Sequence, residues 1–428
     1  MENIIHSVTL DKEKCKGCTN CIKLCPTQAI RVRNGKAVII KDRCIDCGEC
    51  IRVCPYHAKK AITDSFDMMK NFKYNIALPA PTFYGQFEKV NDINVILNAL
   101  LKIGFDDVFE VAYAAQIITR ESKKVIEKGA IEKPIINSAC PAVLRLISVR
   151  FPSLIDNILP VISPMHLAGR MARDIAAKEK DLKPEEIGVF FITPCAAKAT
   201  SVKHHPGIKE KNVDGAFSIK EIYKKILPYL SDKDSLKKLS KADFSGVCWA
   251  KSGGEVSALK CENYIAVDGI DNVVKVFEEI ENDRLHDLEF VEALACTGGC
   301  VGGPLCVENN FVAHTRVSRL SKTLKGKEVQ LPQGDVDIMF NDSISYNPVL
   351  TLDPDRKVAM AKLERMMEIN DELPGLDCGA CGSPTCKTFA EDIVRGYTHE
   401  YECIFKMREM IDEIALKMDI YEKRRSDV

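Results

Sequence analysis

Phe290-Val-Glu-Ala-Leu-Ala-Cys296-Thr-Gly-Gly-Cys300-Val-Gly-Gly-Pro304 is an apolar, strand-like run that ends in two cysteines among glycines. Two thiolates at this spacing can bind one inorganic centre. Because glycine lacks Cβ, backbone N–H groups can approach a bulky anionic cluster and donate to its sulfurs. The stretch therefore predicts a metal site at the end of a strand.

Two more cysteines stand in similar surroundings, each after an apolar, β-branched run and next to a proline. Cys140 follows Ile135-Ile-Asn-Ser-Ala139, and Cys195 follows Val189-Phe-Phe-Ile-Thr193-Pro194. Both runs are typical of strands. Because the carboxyl ends of parallel strands meet at one edge of a sheet, we expect four thiolates from these three loops to converge there.

In this order, the three loops resemble the signature loops of the catalytic domain of iron-only ([FeFe]) hydrogenases. The resemblance covers most of residues 75–350 and includes four further segments: Leu78-Pro-Ala80-Pro, Gly104-Phe-Asp-Asp-Val-Phe109, Ser163-Pro-Met-His166 and Ser252-Gly-Gly254. It is greatest toward the divergent, sensory branch of that family. It implies two lobes, near residues 75–190 and 190–350, that face each other across a cluster cavity.

The resemblance also implies a ligand set for a [4Fe–4S] cubane: Cys140, Cys195, Cys296 and Cys300. Cys300 would in addition bridge to a diiron subsite with CO and CN⁻ ligands. Lys198 matches the family lysine that hydrogen-bonds a cyanide, which is a charge-assisted contact. Trp249 matches an aromatic residue against the diiron subsite, and plain core packing is its alternative.

Several positions depart from the family pattern. Ala139 stands where efficient hydrogenases have a second cysteine, and a methyl group cannot relay a proton. Ser122 and Val125 fall where relay glutamates are expected. Positions that line the pocket differ as well: Thr193, Leu294 and the ending Val301-Gly-Gly-Pro304-Leu-Cys306. Since surrounding residues set the potential and proton access of a metal site, we predict slow, altered catalysis and a sensory or regulatory role.

Other groups could supply a substitute proton relay: Glu255, Glu289, Glu292, Cys248 and Cys261. A carboxylate serves only where burial raises its pKa toward neutrality, and the apolar neighbours of Glu292 favour this. A solvated glutamate is the alternative. Glu255 and Glu292 are the candidate proton carriers, with the other three ranked below them.

The N-terminal part contains an internal repeat of cysteines. Cys15-x-x-Cys18-x-x-Cys21-x-x-x-Cys25-Pro26 is followed by Cys44-x-x-Cys47-x-x-Cys50-x-x-x-Cys54-Pro55. In such ferredoxin runs three cysteines bind one [4Fe–4S] cluster and the fourth binds its neighbour. The repeat predicts two clusters, one on Cys15, Cys18, Cys21 and Cys54 and the other on Cys44, Cys47, Cys50 and Cys25. A zinc module is the alternative.

Near the C-terminus, Cys378-Gly-Ala-Cys381-Gly-Ser-Pro-Thr-Cys386 and the later Cys403 supply four more thiols. The pattern resembles the small [4Fe–4S] domain of other redox and sensory proteins, with zinc as the alternative. Beyond it, apolar residues recur at spacings of three and four: Ile404, Met407, Ile411, Ile414, Met418 and Tyr421. This short heptad seam leaves open a homodimer, a partner helix, or packing against its own domain.

Composition narrows the remaining possibilities. The 428 residues, 46% hydrophobic and 28% charged, leave room for two or three globular domains. The net charge of −1 gives no argument for nucleic acid or a membrane surface, and no apolar run is long enough to span a bilayer. The first residues have no signal-peptide pattern, and the nineteen cysteines fall mostly in cluster spacings. We therefore expect a cytoplasmic protein with reduced thiols.

From Lys73 onward, strand-like runs at 74–78 and 108–112 alternate with helix-like runs at 95–102 and 115–126. This alternation predicts an α/β domain with a largely parallel sheet. We expect a ferredoxin-like 2[4Fe–4S] domain at 1–62, a two-lobed hydrogenase-like H-cluster domain at 70–352, and a C-terminal [4Fe–4S] domain with a terminal helix at 356–428.

The resulting hypothesis is an oxygen-intolerant hydrogenase that interconverts H₂ with protons and electrons. Its clusters would exchange electrons with a redox partner protein, either a ferredoxin or a signalling protein. The alternative from a different class is a non-catalytic relative that keeps only the cubane and serves in electron carriage or iron–sulfur cluster assembly.

Overall fold

The computed structural model describes residues 6–231 and 236–426, with side chains as far as residue 420. Its strands are β1 (Val8–Leu10), β2 (Ile30–Arg33), β3 (Lys36–Ile39), β4 (Lys59–Ala61), β5 (Tyr74–Pro79), β6 (Asp107–Val108), β7 (Ile135–Ile136), β8 (Ile187–Thr193), β9 (Gly215–Ser218), β10 (Tyr264–Asp268) and β11 (Phe290–Leu294). Its helices are α1 (Asn20–Lys23), α2 (Glu49–Arg52), α3 (Ile93–Lys102), α4 (Val111–Glu127), α5 (Pro141–Arg150), α6 (Pro164–Lys180), α7 (Ala196–Ser201), α8 (Ile219–Ile226), α9 (Phe244–Cys248), α10 (Gly254–Leu259), α11 (Ile270–Glu281), α12 (Asn310–Lys322), α13 (Arg356–Glu372), α14 (Cys386–Val394) and α15 (Ile404–Ser426). In the ranges described, none of these helices has both the length and the apolar character needed to cross a membrane.

The chain forms two compact units that are interleaved in sequence. Unit 1 comprises Met1–Thr9, Ile45–Arg52 and Lys60–Asn347. Unit 2 comprises Leu10–Cys44, Val53–Lys59 and Pro348–Val428. The division into domains at 1–62, 70–352 and 356–428 remains a prediction.

Unit 1 contains a four-stranded parallel sheet with the order β6-β5-β8-β9. β8 is buried at every position, and β5 is buried at every position except Tyr74. A parallel strand that is covered on both faces has no polar side, so it appears in the sequence as an unbroken apolar run. The strands predicted at 74–78 and 189–193 are confirmed.

A second parallel sheet in unit 1 has the order β10-β11-β7, and its central strand β11 is buried throughout. The expectation that one sheet edge gathers all the cysteine loops is therefore wrong. β8 of the first sheet precedes Cys195, whereas β7 and β11 of the second sheet precede Cys140 and Cys296. The expected division near residue 190 is also wrong, because β7 completes the sheet that β10 and β11 form.

The strand expected at residues 108–112 is wrong beyond Val108, because β6 ends there and α4 begins at Val111. Glu110 lies between them, at the cap position before α4. Its buried carboxylate accepts the Tyr84 hydroxyl and the Ala242 backbone N–H, each at 3.0 Å. The helices predicted at 95–102 and 115–126 are confirmed within α3 and α4.

In unit 2, β2 and β3 form an antiparallel hairpin with positive φ at both turn residues, Asn34 and Gly35. α13 and α14 share a small apolar core with Met366 and Phe389. The predicted seam of α15 is exposed: Ile404, Met407, Ile411, Ile414 and Met418. The side chain of Tyr421 lies outside the described residues. Packing of this seam against its own domain is therefore wrong for the side chains described, and a homodimer or a partner helix remains a prediction.

Candidate metal centre

Three loops of unit 1 bring four thiols together. Cys140 and Cys195 occupy the cap positions before α5 and α7, where helix N-termini favour thiolates. Cys296 follows β11, and Cys300 begins the next turn. The Cys195 thiol interacts electrostatically with the other three. The predicted ligand set is thus assembled from segments that are distant in sequence.

Burial disfavours the thiolate form of three of these residues: Cys195, Cys296 and Cys300. It raises the pKa of Cys195 strongly, raises that of Cys296, and raises that of Cys300 to about 12. The Lys198 ammonium opposes the shift at Cys195 and Cys300. Iron replaces the protons of such soft donors, so it removes the cost of a buried anionic sulfur. Four mutually close thiols, each buried or partly buried, fit an iron–sulfur cluster.

Close backbone contacts explain the glycines of the third loop. Gly299 has φ +88°, and a Cβ there would lie 2.5 Å from the Ser252 backbone nitrogen. A Cβ at Gly303 would lie 2.3 Å from the Pro194 carbonyl oxygen. The loop that carries Cys300 therefore packs directly on the loops at residues 194 and 252, and these contacts hold the ligand in place.

A cavity lies beside Cys300. All the predicted catalytic side chains line it: Lys198, Trp249, Glu255 and Glu292. Ala139 and Leu294, two of the departures from the family pattern, line it as well. Most of the remaining wall is apolar, so a charged group in this space would meet few competing water molecules.

Two hydrogen bonds orient the polar groups on one side of the cavity. Lys198 Nζ donates to the Ala139 carbonyl oxygen at 3.0 Å. Trp249 Nε1 donates to Thr119 Oγ1 at 3.1 Å. Because an ammonium has three N–H donors, Lys198 retains the capacity to donate to an anionic ligand in the cavity.

The two carboxyl groups of the cavity differ in their partners. Glu292 accepts the backbone N–H groups of Gly253 and Val256, each at 2.9 Å, at the start of α10. Glu255 accepts the side-chain amide of Asn137 at 2.7 Å. Burial raises the pKa of both carboxyl groups, and the charge of Glu292 raises that of Glu255 further. Glu255 is therefore better suited to exchange a proton, whereas Glu292 is committed to α10.

Cys261 lies near two carboxylates, those of Glu255 and Glu289. Burial raises the pKa of the Cys261 thiol, and the charges of Glu289 and Glu255 add to that shift. Glu289 is about half exposed and pairs with Lys133 at 3.6 Å. Cys248 is buried and is not among the residues that line the cavity in the described structure. Of the two predicted thiols, Cys261 is the one that interacts electrostatically with Glu255 and Glu289.

The positions of the family relay offer no continuous path. Ser122 is buried, and its Oγ has no hydrogen-bond partner among the residues described. Val125 packs against the apolar core. Burial opposes ionisation of Glu121, but hydrogen bonds from Lys124 and Arg120 lower its pKa. A carboxylate that two cations hold ionised is a poor proton carrier.

Three groups near the site were not assigned a role there from the sequence. Asn137 accepts the backbone N–H of Ala293 in β11 at 2.9 Å while donating to Glu255. Cys306 Sγ lies 3.7 Å from the Cys300 carbonyl oxygen. Arg52 contacts the third loop from a distant segment. A polar residue at the end of a buried strand was a usable signal for Asn137, but no spacing singles out Arg52.

Unit 2 brings together the first predicted ferredoxin set: Cys15, Cys18, Cys21 and Cys54. Burial raises the pKa of Cys21 to about 11, while the Lys59 ammonium lowers it. The backbone N–H of Ala37 lies 3.4 Å from Cys15 Sγ, and that of Ala58 lies 3.3 Å from Cys54 Sγ. Such N–H···S contacts stabilise cluster-bound thiolates.

The other two predicted sites are less complete. The second ferredoxin set remains a prediction, because Cys25 and Cys44 belong to unit 2 and Cys47 and Cys50 to unit 1. At the C-terminal motif, the Cys381 thiol interacts with those of Cys403 and Cys378, and burial raises its pKa. Cys386 begins α14 and packs in the same apolar core as Cys403.

An α/β fold with parallel sheets, together with clustered thiols, is typical of an iron–sulfur protein. Residues 73–262 and 231–304 match the model of the iron only hydrogenase large subunit, C-terminal domain. The match covers more than half of the chain, and the protein belongs to that family. Residues 7–55 match a 4Fe-4S dicluster domain, and residues 373–405 match an Fe-S cluster model. The protein is thus a hydrogenase-like iron–sulfur protein with α/β lobes and a ferredoxin-like domain.

Its relatives include both hydrogenases and assembly factors. Iron hydrogenase 1 of Clostridium pasteurianum is 24% identical over an alignment of 370 residues that covers 69% of this chain and 64% of that protein. The chain therefore spans less than two thirds of that relative. The cytosolic Fe-S cluster assembly factor NAR1 of Meyerozyma guilliermondii is 26% identical over 158 residues, 35% of this chain and 30% of the factor. A solved [FeFe]-hydrogenase variant from Chlamydomonas reinhardtii is 13% identical, with a TM-score of 0.49 over 67% of this chain and 98% of its own.

Proposed function

We propose that the protein is an [FeFe]-hydrogenase of the divergent, sensory branch that slowly interconverts H₂ with protons and electrons. Four thiols would hold a [4Fe–4S] cubane: Cys140, Cys195, Cys296 and Cys300. Cys300 would bridge it to a diiron subsite with CO and CN⁻ ligands. The observation that carries the proposal is the cavity beside Cys300, with Lys198 in its wall. A bare cubane needs neither this space nor an ammonium beside it.

The setting of Lys198 supports a ligand that carries negative charge. Among the residues described, its Nζ donates to one acceptor, the Ala139 carbonyl oxygen, and Lys198 lines a mostly apolar cavity. An ammonium in such surroundings is stabilised by a further anionic acceptor, and charge-assisted hydrogen bonds are the strong ones. A cyanide ligand supplies that acceptor.

On the proton side, Glu255 takes the place of the missing relay. It lines the cavity, and its raised pKa allows it to hold a proton and release it near neutral pH. Cys261 and the partly exposed Glu289 would carry the proton outward. Glu292 acts mainly by fixing the start of α10, on which Glu255 lies.

The slow rate and the sensory role follow from the same replacements. A methyl group at Ala139 removes the usual first proton carrier, and Leu294, another departure from the family pattern, lines the cavity. Thr193 is not among the lining residues in the described structure, so its expected place in the pocket is wrong. Slow turnover suits a protein that reports H₂ rather than consuming it in bulk. The two N-terminal clusters and the C-terminal cluster would pass electrons to a ferredoxin or a signalling protein. We expect a cytoplasmic, oxygen-intolerant protein.

A second function is non-catalytic electron carriage or cluster assembly. The local similarity to the assembly factor NAR1 favours it. In that case the cubane would be present without the diiron subsite, and Lys198 would have no ligand to bind.

H₂ turnover by the full chain tests the proposal. The protein is first loaded with iron–sulfur clusters and then with a synthetic diiron subsite, and H₂-dependent reduction of a viologen dye is followed under anaerobic conditions. We expect activity only after the second loading. Lys198→Ala should lose it, whereas Lys203→Ala, whose lysine pairs with Asp64 at 2.9 Å, should not. No turnover in protein that demonstrably holds the subsite would contradict the proposed activity, and a protein that binds the cubane but takes up no subsite would favour the non-catalytic function.

A further inference from the structure

Arg52 connects a ferredoxin-like segment to a ligand loop of the cubane within unit 1. Its Nη1 donates to the Gly302 carbonyl oxygen at 2.6 Å, and its positive charge lowers the pKa of the Cys296 thiol. One carboxylate oxygen of Glu49 accepts hydrogen bonds from Arg52 Nε at 3.1 Å and from Arg52 Nη2 at 2.6 Å. The Arg52 side chain is only 25% exposed. One partly buried cation therefore hydrogen-bonds to both segments and acts on the Cys296 thiol.

The two segments also pack closely where the Gly48 backbone meets the Pro304 ring. Gly48 has φ +77°, and a Cβ there would lie 2.5 Å from Cγ of Pro304. No larger residue fits at this position without moving one of the segments. The segment that carries Cys47 and Cys50, two predicted ligands of an N-terminal cluster, is thus held against the loop that carries Cys296 and Cys300.

The chemistry of this contact determines what Arg52 can do. A guanidinium is always protonated and presents several N–H donors in a fixed plane, so it can serve a sulfur, a carbonyl and a carboxylate together. Hydrogen bonds and positive charge at a cluster sulfur stabilise the more negative, reduced state of the cluster. Glu49 carries the opposite charge and offsets part of this effect.

We propose that Arg52 is a positioning residue that raises the reduction potential of the cluster bound through Cys296 and holds the Cys47-to-Cys50 segment against that cluster for electron transfer. The inference needs a cluster on Cys296 and Cys300. It does not need the diiron subsite or H₂ turnover, so it can fail or succeed separately from the proposed function.

A redox titration of the full chain tests the inference. The protein is loaded with iron–sulfur clusters but not with the diiron subsite, and each cluster is followed by electron paramagnetic resonance. The signal of the Cys296 cluster is identified by its absence in a Cys195→Ala, Cys296→Ala double variant. For Arg52→Gln we expect that cluster alone to shift to a more negative potential. A tenfold lower reduced-to-oxidised ratio at a fixed potential corresponds to about 59 mV for one electron.

Matched variants distinguish the effect of the charge near the cluster from a loss of folding. Glu49→Gln removes the offsetting charge and should shift the same cluster to a more positive potential. Arg150→Gln removes an arginine of unit 1 that pairs with Glu278 at 2.6 Å, and it should leave the potential unchanged. If Arg52→Gln does not retain the cluster, Arg52→Lys and Glu49→Gln still decide the question. An unshifted potential in both of these, or an equal shift of every cluster, would overturn the proposal.

Discussion

The thiol site of unit 1 and the thiol sites of unit 2 use the same donor atom in different settings. In unit 1 the thiols come from three loops that follow two separate sheets, and they lie beside a mostly apolar cavity. In unit 2 the runs at residues 15–21 and 378–386 are local, and Cys18 and Cys378 are exposed. A local run can bind a cluster with little help from the rest of the fold. A convergent, buried site depends on the whole unit, and in return it keeps water away from the bound metal.

The largest expected effect distinguishes the two kinds of site directly. Cys300→Ala should abolish H₂ turnover and the diiron subsite but leave the clusters of unit 2 intact, because their ligands lie in other segments. Cys378→Ala should remove the C-terminal cluster and retain turnover with an artificial dye. Electron paramagnetic resonance and the dye assay measure both outcomes. Retained H₂ uptake by Cys300→Ala would rule out the assigned bridge.

The next effect concerns the proton route of the buried site. Glu255→Gln keeps the size of the side chain but cannot ionise, so turnover should fall by about 10²-fold or more. Cys261→Ala should also slow turnover, while Cys248→Ala serves as its control. The infrared spectrum of the resting cluster should hardly change. If Glu255→Gln and Glu292→Gln both retain the parent rate while Cys261→Ala does not, the proton leaves through the thiol and the carboxylate route is wrong.

A smaller effect concerns stability and pH. Burial raises the pKa of Glu255 and Glu292 above the ordinary value of 4.5, so between that value and the raised pKa the folded state binds more protons than the unfolded state. Their contribution to stability is therefore fully present below 4.5 and is lost as pH rises through the folded-state pKa. The slope is at most about 1.4 kcal/mol per pH unit for each group. Anaerobic thermal unfolding should show a weaker pH dependence for Glu255→Gln, and an unchanged slope would contradict the prediction.

The smallest expected effect is that of restoring the missing cysteine. Ala139→Cys should raise turnover by less than about threefold, because each member of a relay must lie within about 3 Å of the next. Ser122 has a buried hydroxyl without a partner in the described structure, and Glu121 is paired with two cations. Ala139→Ser is the control for side-chain size. A gain of about 10²-fold would mean that the family relay is intact beyond this position.

Sequence patterns predicted the local features of both units. The buried run at residues 290–294 forms β11, and its alternation places Glu292 on the same face as Phe290 and Leu294. The ferredoxin repeat predicted a cysteine set that unit 2 brings together. The strand expected at 108–112 failed because Glu110, which bonds to residues far along the chain, starts a helix instead.

Long-range partners could not be predicted in the same way. The backbone donors of Glu292, the role of Asn137 and the contact of Arg52 with Gly302 all join segments that no periodicity relates. The three cysteine loops were grouped through a family resemblance, whereas the reasoning from strand ends alone placed them wrongly on one sheet. Spacing within a run is visible in a sequence, but the meeting of two runs is a property of the packed fold.

Infrared spectroscopy of the protein after loading with the diiron subsite tests the proposed cluster most directly. Bound CO and CN⁻ absorb where protein does not, so their bands report the subsite without any need for turnover. We predict sharp CO and CN⁻ bands for the parent chain, shifted CN⁻ bands for Lys198→Ala if the subsite is retained, and no bands for Cys300→Ala. A parent chain that binds the cubane but shows no CO or CN⁻ bands after loading would contradict the assignment of the cavity beside Cys300 to a diiron subsite.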